Sequence, residues 1–136
     1  MKEIEVCAAV IIKDKKILLT QRGYGEYKNK REFPGGKIEK DESKEEAIKR
    51  EIKEELDASI KIDNFLCRVE YDYTTFYLKM NVFCVSLEDE HIIFKEHESY
   101  KWINFNNLDD VKKLDLLPTD NLVISYLKKY IEKLTM

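Results

Sequence analysis

"REFPGGKIEKDESKEEAIKREIKEELDA", Arg31–Ala58, is the stretch whose reading decides the fold. Ser43 and Glu46 have the spacing of a capping box, so a helix starts at Lys44, and nothing from Lys44 to Leu56 is glycine or proline. With Ala47 set at the origin and about 100° added per residue, Glu54 falls at about −20°, Glu51 at about 40° and Glu55 at about 80°. Ile48, Ile52 and Leu56 follow at about 100°, 140° and 180°, an apolar stripe that has to pack on something. Three carboxylates therefore share one face, directly beside the packing side. Like charges at this spacing cost an isolated helix roughly 0.2–0.5 kcal/mol per pair, and more when desolvated beside a core. Lys49 and Lys53 project the opposite way and do not relieve them. Such a face is either solvated, or it holds a divalent cation, with oxygen donors suited to Mg²⁺ or Mn²⁺.

The chain has four glycines and two prolines, and Phe33-Pro34-Gly35-Gly36 takes two of the glycines and one proline. Glycine lets backbone approach a ligand closely, and proline fixes the entry while removing a donor. A loop of this kind feeding a carboxylate-bearing helix suits a metal–phosphate site.

Outward from this stretch, Glu3 to Ile12 reads as a strand, apolar from Val6 onward as a strand buried on both faces would be. Lys13-Asp14-Lys15 turns into a second strand over Lys16 to Gln21. Gly23 to Lys30 is a polar loop bearing Tyr24 and Tyr27. Ile60 to Asp72 and Thr75 to Leu87 read as long strands; His91 to Phe94 and Tyr100 to Phe105 read as short ones. Asn121 to Leu134 predicts a second helix, with Leu122, Val123, Tyr126, Leu127, Tyr130, Ile131 and Leu134 on its packed face. The order of strands, helix, strands, helix predicts an α/β sandwich with a mixed sheet between helices.

At 136 residues the chain fits a single domain over 1–136, and 43% apolar with 38% charged residues describes a globular protein. No apolar run is long enough to span a bilayer, and the N-terminus lacks a signal peptide's apolar core, so a cytoplasmic protein without membrane contact is expected. A net charge of −3 without a basic block argues against a nucleic-acid polymer as partner. Cys7, Cys67 and Cys84 lie in apolar stretches without metal-ligand spacing and are expected to be buried thiols.

Together these residues resemble the Nudix hydrolases. The family's box runs Gly, five residues, Glu, seven residues, Arg-Glu, an aliphatic, any residue, Glu-Glu, any residue, Gly, and a closing aliphatic. Here it runs Gly36, Glu42, Arg50-Glu51-Ile52, Glu54-Glu55, and every charged position matches over 23 residues. Asp57 stands where the late glycine would be, and Ala58 where the final aliphatic would be. That glycine closes the helix in the αL conformation, where aspartate is a tolerable but poorer occupant. Glu32 to Glu39 looks like the MutT-like branch, which cleaves nucleoside triphosphates. Thr20-Gln21-Arg22 resembles that branch's second-strand end, where an arginine meets the phosphates. Leu116-Leu117-Pro118-Thr119-Asp120 resembles a segment that lines the base pocket; an aspartate at Asp120 is similar to relatives preferring cytidine nucleotides.

The resemblance implies Mg²⁺-dependent cleavage (Mn²⁺ substituting) of a nucleoside triphosphate, oxidised dGTP-like or cytidine-type, to monophosphate and pyrophosphate. Another nucleoside diphosphate linked to a group X, or a non-catalytic nucleotide-binding module, are the alternative implications, and the protein is a monomer or homodimer. Glu54 and Glu55 are the implied metal ligands with the Gly36 carbonyl. Glu51 is a further ligand or orients the attacking water. Arg50 steers the carboxylates, with Glu42 in a supporting role. A later-loop acidic residue joins them, Glu98 in preference to Glu96. Arg22 and Lys37 would meet phosphate, and Phe33 and Asp120 would meet the base, where Tyr24, Tyr27, Tyr71 and Tyr73 are further stacking candidates. His91 and His97 have no metal-ligand spacing to each other, and Trp102 reads as a core anchor.

Overall fold

A computed structural model describes residues 2–21, 29–94, 99–111 and 116–135. Its element order is β1 (Lys2–Lys13), β2 (Lys16–Gln21), β3 (Arg31–Glu32), β4 (Gly35–Lys37), α1 (Lys44–Leu56), β5 (Ile60–Asp72), β6 (Phe76–Leu87), β7 (Tyr100–Asn104), α2 (Leu108–Val111) and α3 (Pro118–Thr135).

β1 is the axis of the sheet. Along one edge it runs parallel to β6 from Lys2 to Ile11. Its other edge is shared: β4 pairs antiparallel with Val6 to Ala8, and β2 pairs antiparallel with Ile12 and Lys13. β5 extends the sheet beyond β6, while β3 and β7 flank β2. The sheet is therefore mixed, as the sequence predicts. The tight turn between β1 and β2 puts Asp14 and Lys15 at φ 50° and 60°, the left-handed pair that suits the twist of a two-residue hairpin.

Strand periodicity distributes β1 between two cores. Ala8 and Val10 pack with Val123, Ile124 and Leu127 of α3. Cys7, Ala9 and Ile11 pack with Ile48, Ile52 and Leu56 of α1. Successive side chains point to opposite faces, so a run apolar at every position needs a helix on each side. This is the α/β/α sandwich. Each fully buried Ile or Leu of α1 contributes roughly 1.5–3 kcal/mol of transfer free energy. Trp102 packs against the α1-side core, as an anchor should. All three cysteines are free and buried; burial pushes the Cys67 and Cys84 thiols up to about 12.

Four expectations change. Residues 91–94 form no strand: the Ile93 N–H donates instead to the Leu56 carbonyl at 2.7 Å, satisfying an orphan acceptor at the end of α1. The opening loop contains two short strands, β3 and β4. α3 begins at Pro118, earlier than Asn121, because proline is well placed in a first helical turn. The earlier start brings Thr119 and Asp120 inside and rotates the packed face. Val123, Ile124, Leu127 and Ile131 are buried, whereas Leu122, Tyr126 and Leu134 are exposed. An apolar band wider than the contact cannot reveal which of its edges packs.

Candidate active site

The two glycines of the opening stretch have separate structural causes. A Cβ on Gly35 would drive into the Cys7 carbonyl and lie 2.8 Å from the Ala8 Cα, so glycine is what allows β4 to lie against β1. A Cβ on Gly36 would fall on the Glu51 carboxylate, 2.7 Å from Oε1. The missing side chain is the space the carboxylate occupies. Loop and helix are built as one unit, with Gly36 directly against the Glu51 carboxylate.

α1 carries the capping box: Ser43 Oγ accepts from the Glu46 N–H at 3.0 Å, and Glu46 Oε1 accepts from the Ser43 N–H at 3.0 Å. It ends at Asp57 in the left-handed region, φ 51°, ψ 33°, where the box has glycine. Asp57 is held there by the side chains of His91, at 2.9 Å, and Lys53, at 3.4 Å. These two partners, His91 first, also lower its pKa. The departure from the box therefore changes the chemistry of the cap and preserves its backbone.

Arg50 organises the carboxylates. Its Nε and Nη2 grip Glu42 at 2.6 and 2.9 Å, Nη1 donates to Glu51 at 2.9 Å and to Glu54 at 3.2 Å, and Nη2 also reaches the Lys37 carbonyl at 3.0 Å. The hydrogen bond from Arg50 lowers the Glu42 pKa to about 2, and Glu42 in turn raises that of Arg50. Glu42 is thus the main anchor of the guanidinium.

Glu51, Glu54 and Glu55 line one wall of a cavity of about 620 Å³, with Gly36 and Lys37 beside them. Phe33 and Asp120 line the same cavity, and Val6, Leu78 and Met80 add apolar lining. Of the described residues expected at the site, those for metal, phosphate and base line the cavity, with Arg50 immediately behind the carboxylates; of the stacking candidates Tyr73 lines it and Tyr71 does not. Arg22, Glu96, Glu98, Tyr24, Tyr27 and His97 lie outside the described residues. Phe33 is 3% exposed and belongs to the α3-side core as much as to the cavity.

Among the described residues no three His, Cys, Asp or Glu side chains already converge as a metal cage. The reason is visible: Glu51 and Glu54 are turned toward Arg50. The donor set still fits a hard divalent cation, because the Gly36 carbonyl and the carboxylates on one wall are all oxygen. The nearby Cys7 thiol donates to the Gly36 carbonyl at 3.5 Å, and burial raises its pKa to about 11, so it adds no thiolate.

Asp120 is the cavity's second distinctive group. Its Oδ2 accepts the Phe33 N–H at 2.8 Å and its Oδ1 accepts the Thr119 hydroxyl at 3.2 Å. Burial, reinforced by the charge of Glu32, raises its pKa to about 7. Glu32, Thr119 and Tyr73 also line the cavity. The sequence singles out none of Glu32, Thr119 and Tyr73 as a polar reader; Thr119 and Tyr73 are drawn in by the early start of α3 and by the β5–β6 turn.

A sequence model of the NUDIX domain matches residues 1–125. The chain belongs to the Nudix family. Nudix hydrolases generally use divalent metal ions. Similar curated proteins include the 8-oxo-dGTP diphosphatase of Buchnera aphidicola subsp. Schizaphis graminum, 32% identical over 132 residues, covering 96% of this chain and 98% of that protein. The CTP pyrophosphohydrolase of Escherichia coli K12 is 33% identical over 103 residues, covering 75% of this chain and 76% of its own. Among solved structures, the E. coli ORF135 protein superposes with a TM-score of 0.81 at 27% identity, covering 98% of this chain and 94% of that one. The Nudix box is the segment that forms β4, α1 and the carboxylate wall.

Proposed function

We propose that this Nudix protein hydrolyses nucleoside triphosphates to the monophosphate and pyrophosphate in a Mg²⁺-dependent reaction, with Mn²⁺ able to substitute. The observation that carries the reading is that one cavity is lined both by the three box carboxylates of α1 and by a buried, polar-partnered Asp120 in the first turn of α3. A ligand that carries both a polyphosphate and a base would meet both groups. Similarity to an 8-oxo-dGTP diphosphatase and to a CTP pyrophosphohydrolase supports the same class.

In this reading Glu54, Glu55 and the Gly36 carbonyl hold the cation, and Glu98 from the later loop joins them. A bound divalent ion neutralises phosphate oxygens and lowers the pKa of a coordinated water. Glu51 either adds a ligand or orients the attacking water. Arg50 keeps the carboxylates aimed, and Glu42 keeps Arg50 in place. Lys37 and Arg22 meet the phosphates, which leaves positioning and charge neutralisation as the protein's main tasks. Phe33 flanks the base, and Asp120 accepts hydrogen bonds from its edge. The task is sanitation of the nucleotide pool by a monomer or homodimer that needs no nucleic-acid polymer.

The test is a panel of ordinary, methylated and oxidised nucleoside triphosphates scored for pyrophosphate release with and without Mg²⁺. Mg²⁺-dependent release from at least one member is expected. Release of inorganic phosphate alone, or equal rates without metal, would overturn the reading.

A further inference from the structure

The β5–β6 turn reaches across the cavity to the first turn of α3. Thr74 at φ 78° tightens that turn, and the Tyr73 N–H donates to the Phe76 carbonyl at 2.9 Å. The Tyr73 ring stacks on Phe76, centroids 5.0 Å apart and planes 16° from parallel, and both residues line the cavity. Its hydroxyl lies 3.0 Å from Thr119 Oγ1 and accepts the Thr119 N–H at 3.3 Å.

These contacts have one consistent direction. The Thr119 N–H lies in the first turn of α3 and has no intrahelical acceptor, so the Tyr73 oxygen satisfies it. The Thr119 hydroxyl gives its one proton to Asp120 Oδ1 at 3.2 Å, which leaves the Tyr73 hydroxyl as the donor to Thr119 Oγ1. Phe33 supplies the matching donor to Oδ2. Both carboxylate oxygens are held as acceptors, and their remaining lone pairs are what a ligand meets. Thr119 is 1% and Asp120 2% exposed, so bulk water does not substitute for these hydrogen bonds.

We infer that Tyr73 is a positioning residue: through Thr119 it fixes Asp120 as a pure acceptor, selecting bases whose edge carries a donor amine. The inference deepens the nucleotide-hydrolysing reading and rests on it. Without the Tyr73 hydroxyl, the Thr119 hydroxyl is released to turn away, and Asp120 loses the partner that sets its orientation. Glu32 adds a second carboxylate to the same lining, which reinforces the preference for donors.

Dissociation constants of non-hydrolysable α,β-methylene triphosphates test this at pH 8 in the presence of Mg²⁺. Cytidine against uridine and guanosine against inosine differ in the amine under test. The wild-type chain is expected to prefer the amine-bearing member of at least one pair. Tyr73→Phe and Thr119→Val should each narrow that ratio about three- to tenfold, the value of roughly one neutral hydrogen bond. Thr119→Ser, which keeps the hydroxyl, should hold the wild-type ratio more closely than Thr119→Val.

A wild-type ratio of one, a ratio untouched by Tyr73→Phe, or equal weakening of both members would overturn the inference. Should Tyr73→Phe fail to fold, the contrast between Thr119→Val and Thr119→Ser probes the same run of hydrogen bonds. Binding with the expected ratios, but no hydrolysis of any member of the ordinary, methylated and oxidised triphosphate panel, would sink the hydrolytic reading and leave this one standing.

Discussion

Arg50 holds Glu42 with two parallel hydrogen bonds, Nε to Oε2 at 2.6 Å and Nη2 to Oε1 at 2.9 Å, and this pair fixes the guanidinium behind the carboxylate wall. The same guanidinium donates to Glu51 and Glu54 through Nη1. On the proposed metal assignment, a cation entering the wall would have to compete with Arg50 for those oxygens. The Glu42 anchor sets how hard that competition is.

Glu42→Ala should therefore weaken metal use before it weakens the fold. Freed from its bidentate partner, Arg50 pairs more fully with Glu51 and Glu54. The Mg²⁺ concentration for half-maximal pyrophosphate release should rise about tenfold, the usual effect of losing a residue behind the metal ligands. A Mg²⁺ titration reads this directly. The pH behaviour follows from the same pair. Glu42 has a folded pKa lowered to about 2, so its contribution to stability is present above its ordinary value near 4.5 and is lost as pH falls toward 2.

Asp57 gives a second expectation. Its left-handed conformation, φ 51°, costs an L-residue roughly 1–2 kcal/mol, which glycine would not bear. The exposed contacts with His91 and Lys53 offset part of that cost. Asp57→Gly should leave stability within about 1 kcal/mol of wild type, because strain and pairing are lost together. Asp57→Ala keeps the strain and loses the pairs, and should be less stable than both the wild type and Asp57→Gly. Urea denaturation of the two variants measures the contrast.

Asp120 has the opposite sign to Glu42. Burial raises its folded pKa to about 7 from an ordinary value near 3.8. The native state binds this proton more tightly than the unfolded chain, so the stability it lends is fully present below about pH 4 and is lost as pH rises to 7. The difference is on the order of 4 kcal/mol at most. Asp120→Asn should stabilise the protein at pH 8 and do little at pH 4, as thermal melts across that range would read. The same variant should reorder the preferred nucleotides more than it slows phosphate cleavage. An unchanged ranking would remove Asp120 from base recognition.

The parts legible in the sequence are those where one local rule fixes the answer. The capping box at Ser43, the helical phase of Glu51, Glu54 and Glu55, and the doubly buried β1 all follow from spacing, and the structure agrees. The left-handed residue expected at Asp57 is also there. The illegible parts are set by contacts distant in the chain. β4 is a strand only because Gly35 lets it meet β1, and residues 91–94 are recruited by the carbonyl of Leu56. The packed edge of α3 depends on burying Thr119 and Asp120 against Tyr73 and Phe33, partners 46 and 87 residues away. No periodicity in α3 encodes those partners.

The most direct measurement is pyrophosphate release by Glu54→Gln against wild type, titrated with Mg²⁺ and accompanied by a circular dichroism spectrum. Removing one carboxylate charge from the wall while keeping its shape should cut turnover about a hundredfold or more, with the fold intact. Wild-type turnover in Glu54→Gln at saturating Mg²⁺ would contradict the assignment of these glutamates to the metal.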